Sequence, residues 1–300
     1  MALVVPNPCF QDSRITFRRR KEEGIKGEGI CQGVLARGNL IKAVFAGVSS
    51  GLASRVRMDA MDLLVIVPHP DDEVFGAGGT LIQYAERGLE TGLITLTKGE
   101  AGRTLGLCAP EKLAEFRAEE LRRSVEVLKI GHLELYGFPN ARPLVVREGE
   151  ARGAGFVTTA GVADHPEIAD LLLWRLEVLR PRAIITFAPN GSNGHPDHVA
   201  THRWVKRAVE RSGRRISLFY YAPLKPLPEF AEGWLPPTHI RQIPREVLVQ
   251  KLRAMAQHKT QALSVLQFMD RFPERLYLES FHLAGYEGPI QDELLWYARP

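Results

Sequence analysis

The chain has 300 residues, 45% of them hydrophobic and 25% charged, enough to bury a sizeable core as one large α/β domain or two small ones, which excludes a mostly disordered chain. Apolar runs such as 63–67 last only a handful of residues, far short of the ~20 that cross a bilayer, so a polytopic membrane protein is excluded as well. The net charge of +4 is unevenly spread, because the first 57 residues hold ten Lys/Arg against four acids and the rest hold 29 bases against 31 acids. The body is therefore slightly acidic, and its composition argues against a nucleic-acid partner. Cys9 and Cys31 lie in the basic leader and only Cys108 beyond it, so no disulfide framework exists in the body and a reducing, cytoplasmic setting is expected.

Residues 1–57 show neither a sustained helical nor a strand period and read as a weakly structured leader. No compact apolar segment follows the Arg18-Arg19-Arg20-Lys21 run, as a secretory signal would require. Met58 and Met61 immediately precede the first strand of the body, which favours reading the leader as an upstream extension. From 58 to 300 a single domain is expected, with no internal repeat.

Its continuous apolar run at 63–67 predicts a strand buried on both faces. A helix follows over 78–87, closed by Gly88, then a strand over 89–97. The spacing of Leu113, Phe116, Leu121, Val125 and Leu128 predicts a helix from Pro110 through Lys129. A short strand at 133–136, a polar loop over 139–161, a helix from an Asp164 cap to Leu179 and a strand at 183–187 come next. A helix over 198–211, a strand at 217–221, a loop-rich excursion with six prolines over 223–244 and a long helix over 245–268 complete the body. This alternation predicts an α/β, Rossmann-like three-layer fold with a mostly parallel sheet.

Two clusters carry the chemistry. Pro68-His69-Pro70-Asp71-Asp72-Glu73 stands at the carboxyl end of the first strand, the edge where open α/β sheets bind ligands. An imidazole beside adjacent carboxylates suits a divalent cation and leaves one carboxylate for proton transfer, although a polar turn capping a helix would use similar residues. Gly194-His195-Pro196-Asp197-His198 follows the strand at 183–187, and a neighbouring strand would bring its two histidines beside the first cluster. His69, one aspartate and one further histidine would leave an open position, as in catalytic zinc sites.

With Gly78-Gly79-Thr80 after the first motif, these segments resemble the PIG-L/LmbE family of zinc-dependent N-acetylglucosaminyl de-N-acetylases, over about Leu63 to His258-Lys259-Thr260-Gln261. The resemblance implies that His69, Asp72 and His198 ligate the metal and that Asp71 is the general base. It also implies that His195 stabilises the oxyanion as an imidazolium and that Asp197 orients or charge-balances a histidine. It implies Zn²⁺, with Fe²⁺ able to take the same ligands, and a small amino-sugar conjugate as substrate, such as the N-acetylglucosaminyl-malate of the bacillithiol pathway. Chitooligosaccharides and antibiotic precursors fit the resemblance too, and a homo-oligomer is compatible with it.

Three more residues are candidates for substrate binding. Arg103, in Lys98-Gly99-Glu100-Ala101-Gly102-Arg103, could pair with a carboxylate or phosphate, or the segment could be a solvated turn. Asn140 stands where relatives often carry Asp, and His258 matches a family element on the last long helix. Asn193 stands where some relatives have a mobile Tyr. Arg117 reads as the intrahelical partner of Glu120, and Cys108 has no base beside it. A nucleotide-binding α/β module is argued against by the absence of G-x-G-x-x-G after the first strand. A non-catalytic sugar- or metal-binding relative is argued against by the complete set of ligands and base.

Overall fold

The computed structural model describes residues 60–141 and 161–295, together with the backbone of 2–6 and 13–18. These belong to one unit comprising 1–19 and 60–300; most of the leader and most of the predicted 139–161 loop lie outside the described residues. Two short strands, β1 (Ala2–Pro6) and β2 (Ser13–Arg18), pair antiparallel with each other. The absence of a strand period in the leader does not anticipate them.

The body begins with β3 (Leu63–Val67), all five residues of which are buried. Leu63, Val65 and Val67 join one hydrophobic cluster while Leu64 and Ile66 join another, so the unbroken apolar run is the signature of a strand covered on both faces. Helix α1 (Asp72–Glu86) follows, then β4 (Thr91–Thr97), α2 (Leu113–Leu128) and β5 (His132–Phe138). Next come α3 (Ile168–Leu179), β6 (Ala183–Thr186), α4 (Pro196–Ser212) and β7 (Ser217–Tyr221). Strands β5, β4, β3, β6 and β7 lie side by side in that order, all parallel. Beyond β5 the sheet continues into β2 and β1. Helices α1 and α2 cover one face and α3 and α4 the other.

In chain order the parallel core runs third, second, first, fourth, fifth, as in a doubly wound sheet. The chain reverses direction of travel between β3 and β6, so a crevice opens outside their carboxyl ends. Both predicted clusters leave the sheet there.

Three differences from the sequence expectation bear on the site. Helix α1 starts at Asp72, six residues before the expected 78, which places Asp72 and Glu73 in its first turn. Its glycines serve packing: a Cβ on Gly79 would meet Ile243 Cδ1 at 2.6 Å. The long helix expected over 245–268 is broken into α5 (Arg245–Met255) and α6 (Ala262–Arg271), joined by a 3₁₀ turn over Lys259–Gln261. The break has an anchor, since Thr260 donates from N and Oγ1 to Glu120 at 2.9 and 2.6 Å. Finally, the proline-rich excursion contains β8 (His239–Gln242), which pairs antiparallel with β9 (Leu278–Leu283) after the short α7 (Glu274–Tyr277), and β9 pairs antiparallel with β7.

Candidate metal centre

The turn after β3 delivers His69, Asp71 and Asp72. Asp71 is the residue preceding α1 and has φ 118°, a backbone conformation rare outside glycine, held in place by three surrounding contacts. Its N–H donates to Glu73 Oε2 at 2.9 Å, its Oδ1 lies 3.5 Å from Arg117 Nη2, and Arg117 also donates to the carbonyls of Pro70 and, at 2.9 Å, Gly99. The turn after β6 and the first turn of α4 deliver His195, Asp197 and His198.

Three donor groups converge. His69 Nδ1 lies 3.3 Å from Asp72 Oδ2 and 3.3 Å from His198 Nε2, and Asp72 Oδ1 lies 3.4 Å from His198 Nε2. Tetrahedral bonds of about 2.0–2.1 Å separate neighbouring ligand atoms by roughly 3.3–3.4 Å, so the spacing of the two nitrogens, and of each from one Asp72 oxygen, is compatible with a shared cation. The outer nitrogens set the tautomers: His69 Nε2 faces Asp197 Oδ2 at 3.1 Å and His198 Nδ1 faces the Gly191 carbonyl at 3.0 Å. With the outer nitrogens donating, His69 Nδ1 and His198 Nε2 can offer inward lone pairs beside the Asp72 carboxylate to a cation. The donor set fits a divalent metal. His195 joins it, with one ligand atom from each of the three histidines lying within 4.8 Å of the others.

Electrostatics agree with this arrangement. Burial would lower the His69 imidazole, but Asp197 and Asp72 raise it to about 9, the mark of a pocket that demands positive charge. Burial would raise Asp72, yet the His198 and His69 rings hold it well below the usual carboxylate range. Asp71 differs: burial dominates and pushes it up to about 6, with Arg117 opposing. Burial and the neighbouring His69 and His198 rings bring His195 down to about 3, and its Nδ1 accepts from Asp197 N–H at 3.2 Å. With Nδ1 accepting, a neutral His195 ring carries its proton on Nε2.

Asp197 is fully enclosed and accepts from Ala141 N and Val162 N at 2.8 and 2.9 Å as well as meeting His69. Burial opposes its ionisation, but the hydrogen bond to His69 prevails and its pKa is lowered. The histidine it orients is His69.

A cavity of about 570 Å³ opens from this centre, with Arg103 and Asn140 in its wall. Asn140 is largely committed to the loop opposite, accepting from Ala101 N at 2.7 Å and donating its own N–H to Glu100 at 2.8 Å. His258, expected at the substrate on a long helix, sits instead in the break between α5 and α6, 1% exposed and outside the cavity lining. Its Nε2 meets Glu73 Oε1 at 2.7 Å, and Glu73, also bonded by Ser124 at 2.8 Å, supports the backbone of Asp71. His258 thus reaches the site through Glu73, behind the reacting groups.

Arg117 is likewise reassigned. It turns from Glu120 toward Asp71, while Glu120 anchors Thr260. Sequence spacing missed this because Arg117 and Glu120, neighbours along the helix surface by spacing, each find a partner on another element. The only sequence signal was the tolerance of an apolar helix face for two charges.

Residues 64–209 match the family described as PIG-L: GlcNAc-PI de-N-acetylase. Over 189 residues the chain is 33% identical to a 1D-myo-inositol 2-acetamido-2-deoxy-alpha-D-glucopyranoside deacetylase of Mycobacterium sp. (strain KMS), the match covering 58% of each chain. The chain thus spans little more than half the length of that relative. A solved structure of a conserved protein from Thermus thermophilus is 27% identical, with a TM-score of 0.56 over 75% of this chain and 94% of that one. The N,N'-diacetylchitobiose deacetylase of Pyrococcus horikoshii shares the fold, at 20% identity and a TM-score of 0.52 over 75% of this chain and 84% of that one.

Proposed function

Because residues 64–209 belong to the GlcNAc-PI de-N-acetylase (PIG-L) family, we propose that this chain is a metal-dependent N-deacetylase that hydrolyses the acetamide of an N-acetylglucosamine-type conjugate to acetate and a free amino sugar. The observation that carries the reading is the convergence of His69 Nδ1, His198 Nε2 and the Asp72 carboxylate, with contacts of 3.3–3.4 Å, at the switch point of the sheet and beside a carboxylate raised to about 6.

His69, Asp72 and His198 would hold the metal. Zinc suits two imidazoles and one carboxylate with an open position, and Fe²⁺ takes the same donors. When bound, the cation supplies the electrophilic charge that activates water and polarises an unreactive amide. The residues of the chain do the rest. Asp71, ionised above about pH 6 and little exposed, takes the proton from the attacking water. Its strained backbone and the Arg117 contact fix the direction in which that proton is accepted. His195, neutral with its proton on Nε2, donates a hydrogen bond to the oxygen that gains charge as the carbonyl is attacked. Asp197 keeps His69 in the tautomer that presents Nδ1 inward. Asp71, once protonated, is the acid that returns the proton to the departing amine.

The N-acetylglucosamine moiety is shared by the mycobacterial relative's substrate and by diacetylchitobiose, which supports it here. The aglycone is the open variable, with malate, inositol, a second sugar and an antibiotic core as candidates. The one thiol described in the body, Cys108, suits a reducing compartment such as the cytoplasm. Among the described residues no helix is long and apolar enough to cross a membrane.

The test is amine release, followed with fluorescamine, from a panel of N-acetylglucosamine conjugates by zinc-loaded protein, with and without chelator. Release that chelator abolishes supports the proposal. Metal binding without release from any conjugate would favour a non-catalytic binder.

A further inference from the structure

Tyr221 is the last residue of β7, beside the crevice, and the centre described above does not use it. It is 2% exposed, its ring lines the cavity, and its hydroxyl has no hydrogen-bond partner among the described residues. The seat of the ring is built for it. A Cβ on Gly76 would lie 2.6 Å from Tyr221 Cδ1, so only glycine at that position of α1 lets the ring approach. On its other side the ring meets Phe187 edge-on at 5.2 Å, and Phe187 stacks on His198 at 3.8 Å. The phenol is therefore fixed one aromatic ring away from a candidate metal ligand. A buried hydroxyl with no partner loses its hydration without repayment, and phenylalanine would fill the same seat without that cost.

Arg275, on α7, lines the same cavity. Its guanidinium lies over the rings of Phe268 and Phe272, at 5.1 and 5.4 Å, and makes no ion pair among the described residues. The nearby Glu279 is fully engaged, with Lys251 Nζ at 2.8 Å and with Gly79 N, Thr80 N and Thr80 Oγ1 at 2.7 Å each. The cavity wall as a whole is asymmetric. Among the described residues its only carboxylates are Asp71 and Asp72 at the metal end, whereas Arg103, Lys225, Arg271 and Arg275 line the remainder.

We propose that Tyr221 and Arg275 form a subsite for a carboxylate carried by the substrate, the phenol donating one hydrogen bond and the guanidinium offering its planar fork. A carboxylate matches the single positive charge of Arg275 and the three donors the pair presents. A neutral hydroxyl would leave the guanidinium without an ion-pair contact, since Glu274 and Glu279 act on it only from beyond contact distance, and a phosphate dianion would bring excess negative charge toward Asp72. The two adjoining phenyl rings packed against the guanidinium restrict its movement, so less freedom is lost when the fork is engaged. The proposal rests on reading this cavity as the site of amide hydrolysis and names the class of aglycone that would follow.

The experiment uses zinc-loaded protein and two substrates, the malate glycoside and the methyl glycoside of N-acetylglucosamine. The quantity read is the ratio of their kcat/KM values. The unmodified protein prefers the malate glycoside. Arg275→Gln lowers that preference at least about tenfold, Arg275→Lys lowers it less, and Tyr221→Phe, which removes one unpartnered oxygen atom and leaves the packing intact, lowers it several-fold. An absence of preference in the unmodified protein, or equal losses on both glycosides in the variants, overturns the subsite. Calorimetric titration of free malate into the same proteins separates this outcome from failure of the enzyme assignment. Malate also ligates zinc, so the difference between proteins is the signal. If no glycoside is turned over but Arg275→Gln weakens malate binding about tenfold, the subsite stands and the deacetylase reading falls. Equal malate binding in all the proteins sinks the subsite whatever the activity.

Discussion

Arg117→Met tests the architecture around Asp71 most directly. The substitution keeps the aliphatic stem within the α2 packing but removes the charge 3.5 Å from Asp71 Oδ1 and the donors to the carbonyls of Pro70 and Gly99. At that separation two unit charges interact by about 1 kcal/mol in a water-like dielectric and about 5 kcal/mol at an effective value of ~20. Each pKa unit is 1.36 kcal/mol, so the Asp71 carboxyl should rise by at least about one unit. A base must be ionised to act, so activity is present above its pKa and lost as pH falls through it. Asp71 sits near about 6 before substitution, and a bound cation moves that value down in the loaded enzyme. The acidic limb of kcat/KM, measured in the zinc-loaded proteins side by side, should therefore shift upward by a unit or more in Arg117→Met. Breaking a buried pair and stranding two carbonyls should also cost about 3–5 kcal/mol of stability, visible as a lowered denaturation midpoint. If the variant unfolds too readily to assay, Arg117→Lys restores the charge without the fork and should place its limb between the two. An unmoved limb in a folded variant would refute the claim that Arg117 tunes Asp71.

The other expectations concern the centre itself. Asp71→Asn should retain zinc by metal analysis while losing at least about 100-fold in kcat, the usual scale for a general base; stoichiometric loss of zinc would make Asp71 a ligand instead. His198→Ala should lose the metal, and unchanged zinc content would remove it from the ligand set. Asp197→Asn should weaken metal affinity about 10–100-fold in a competition titration by freeing the His69 tautomer. An affinity equal to that of the unmodified protein would show that Asp197 does not set that ring.

Much of the site was legible because its chemistry is local. His69-Pro70-Asp71-Asp72 and His195-Pro196-Asp197-His198 each follow a buried strand, and the alternation of periods identified those strands. The apolar run of β3 is continuous because residues on both faces enter cores, a fact written in five consecutive residues. Boundaries were less legible where tertiary contacts outweigh local preference. The first turns of α1 are missed before residue 78 until Tyr221 is found packed against Gly76, and the run from 245 to 268 reads as one helix until Glu120 captures Thr260. The Lys251–Glu279 pair, which ties β9 to α1 and α5, joins residues with no shared period.

The sequence by itself determined the parallel α/β class and marked the sheet edge where two clusters of candidate donors stand, because strand burial and ligand chemistry depend on residue type over short spans. Only the tertiary structure decided which groups share an environment. It assigned Arg117 to Asp71, moved His258 behind Glu73, buried His195 beside His69 and His198, which lower its pKa, and brought Tyr221 and Arg275 into one cavity. These assignments depend on distance and burial between residues up to 185 positions apart, and a pKa or an unpaired hydroxyl is a property of that surrounding, which no single segment contains.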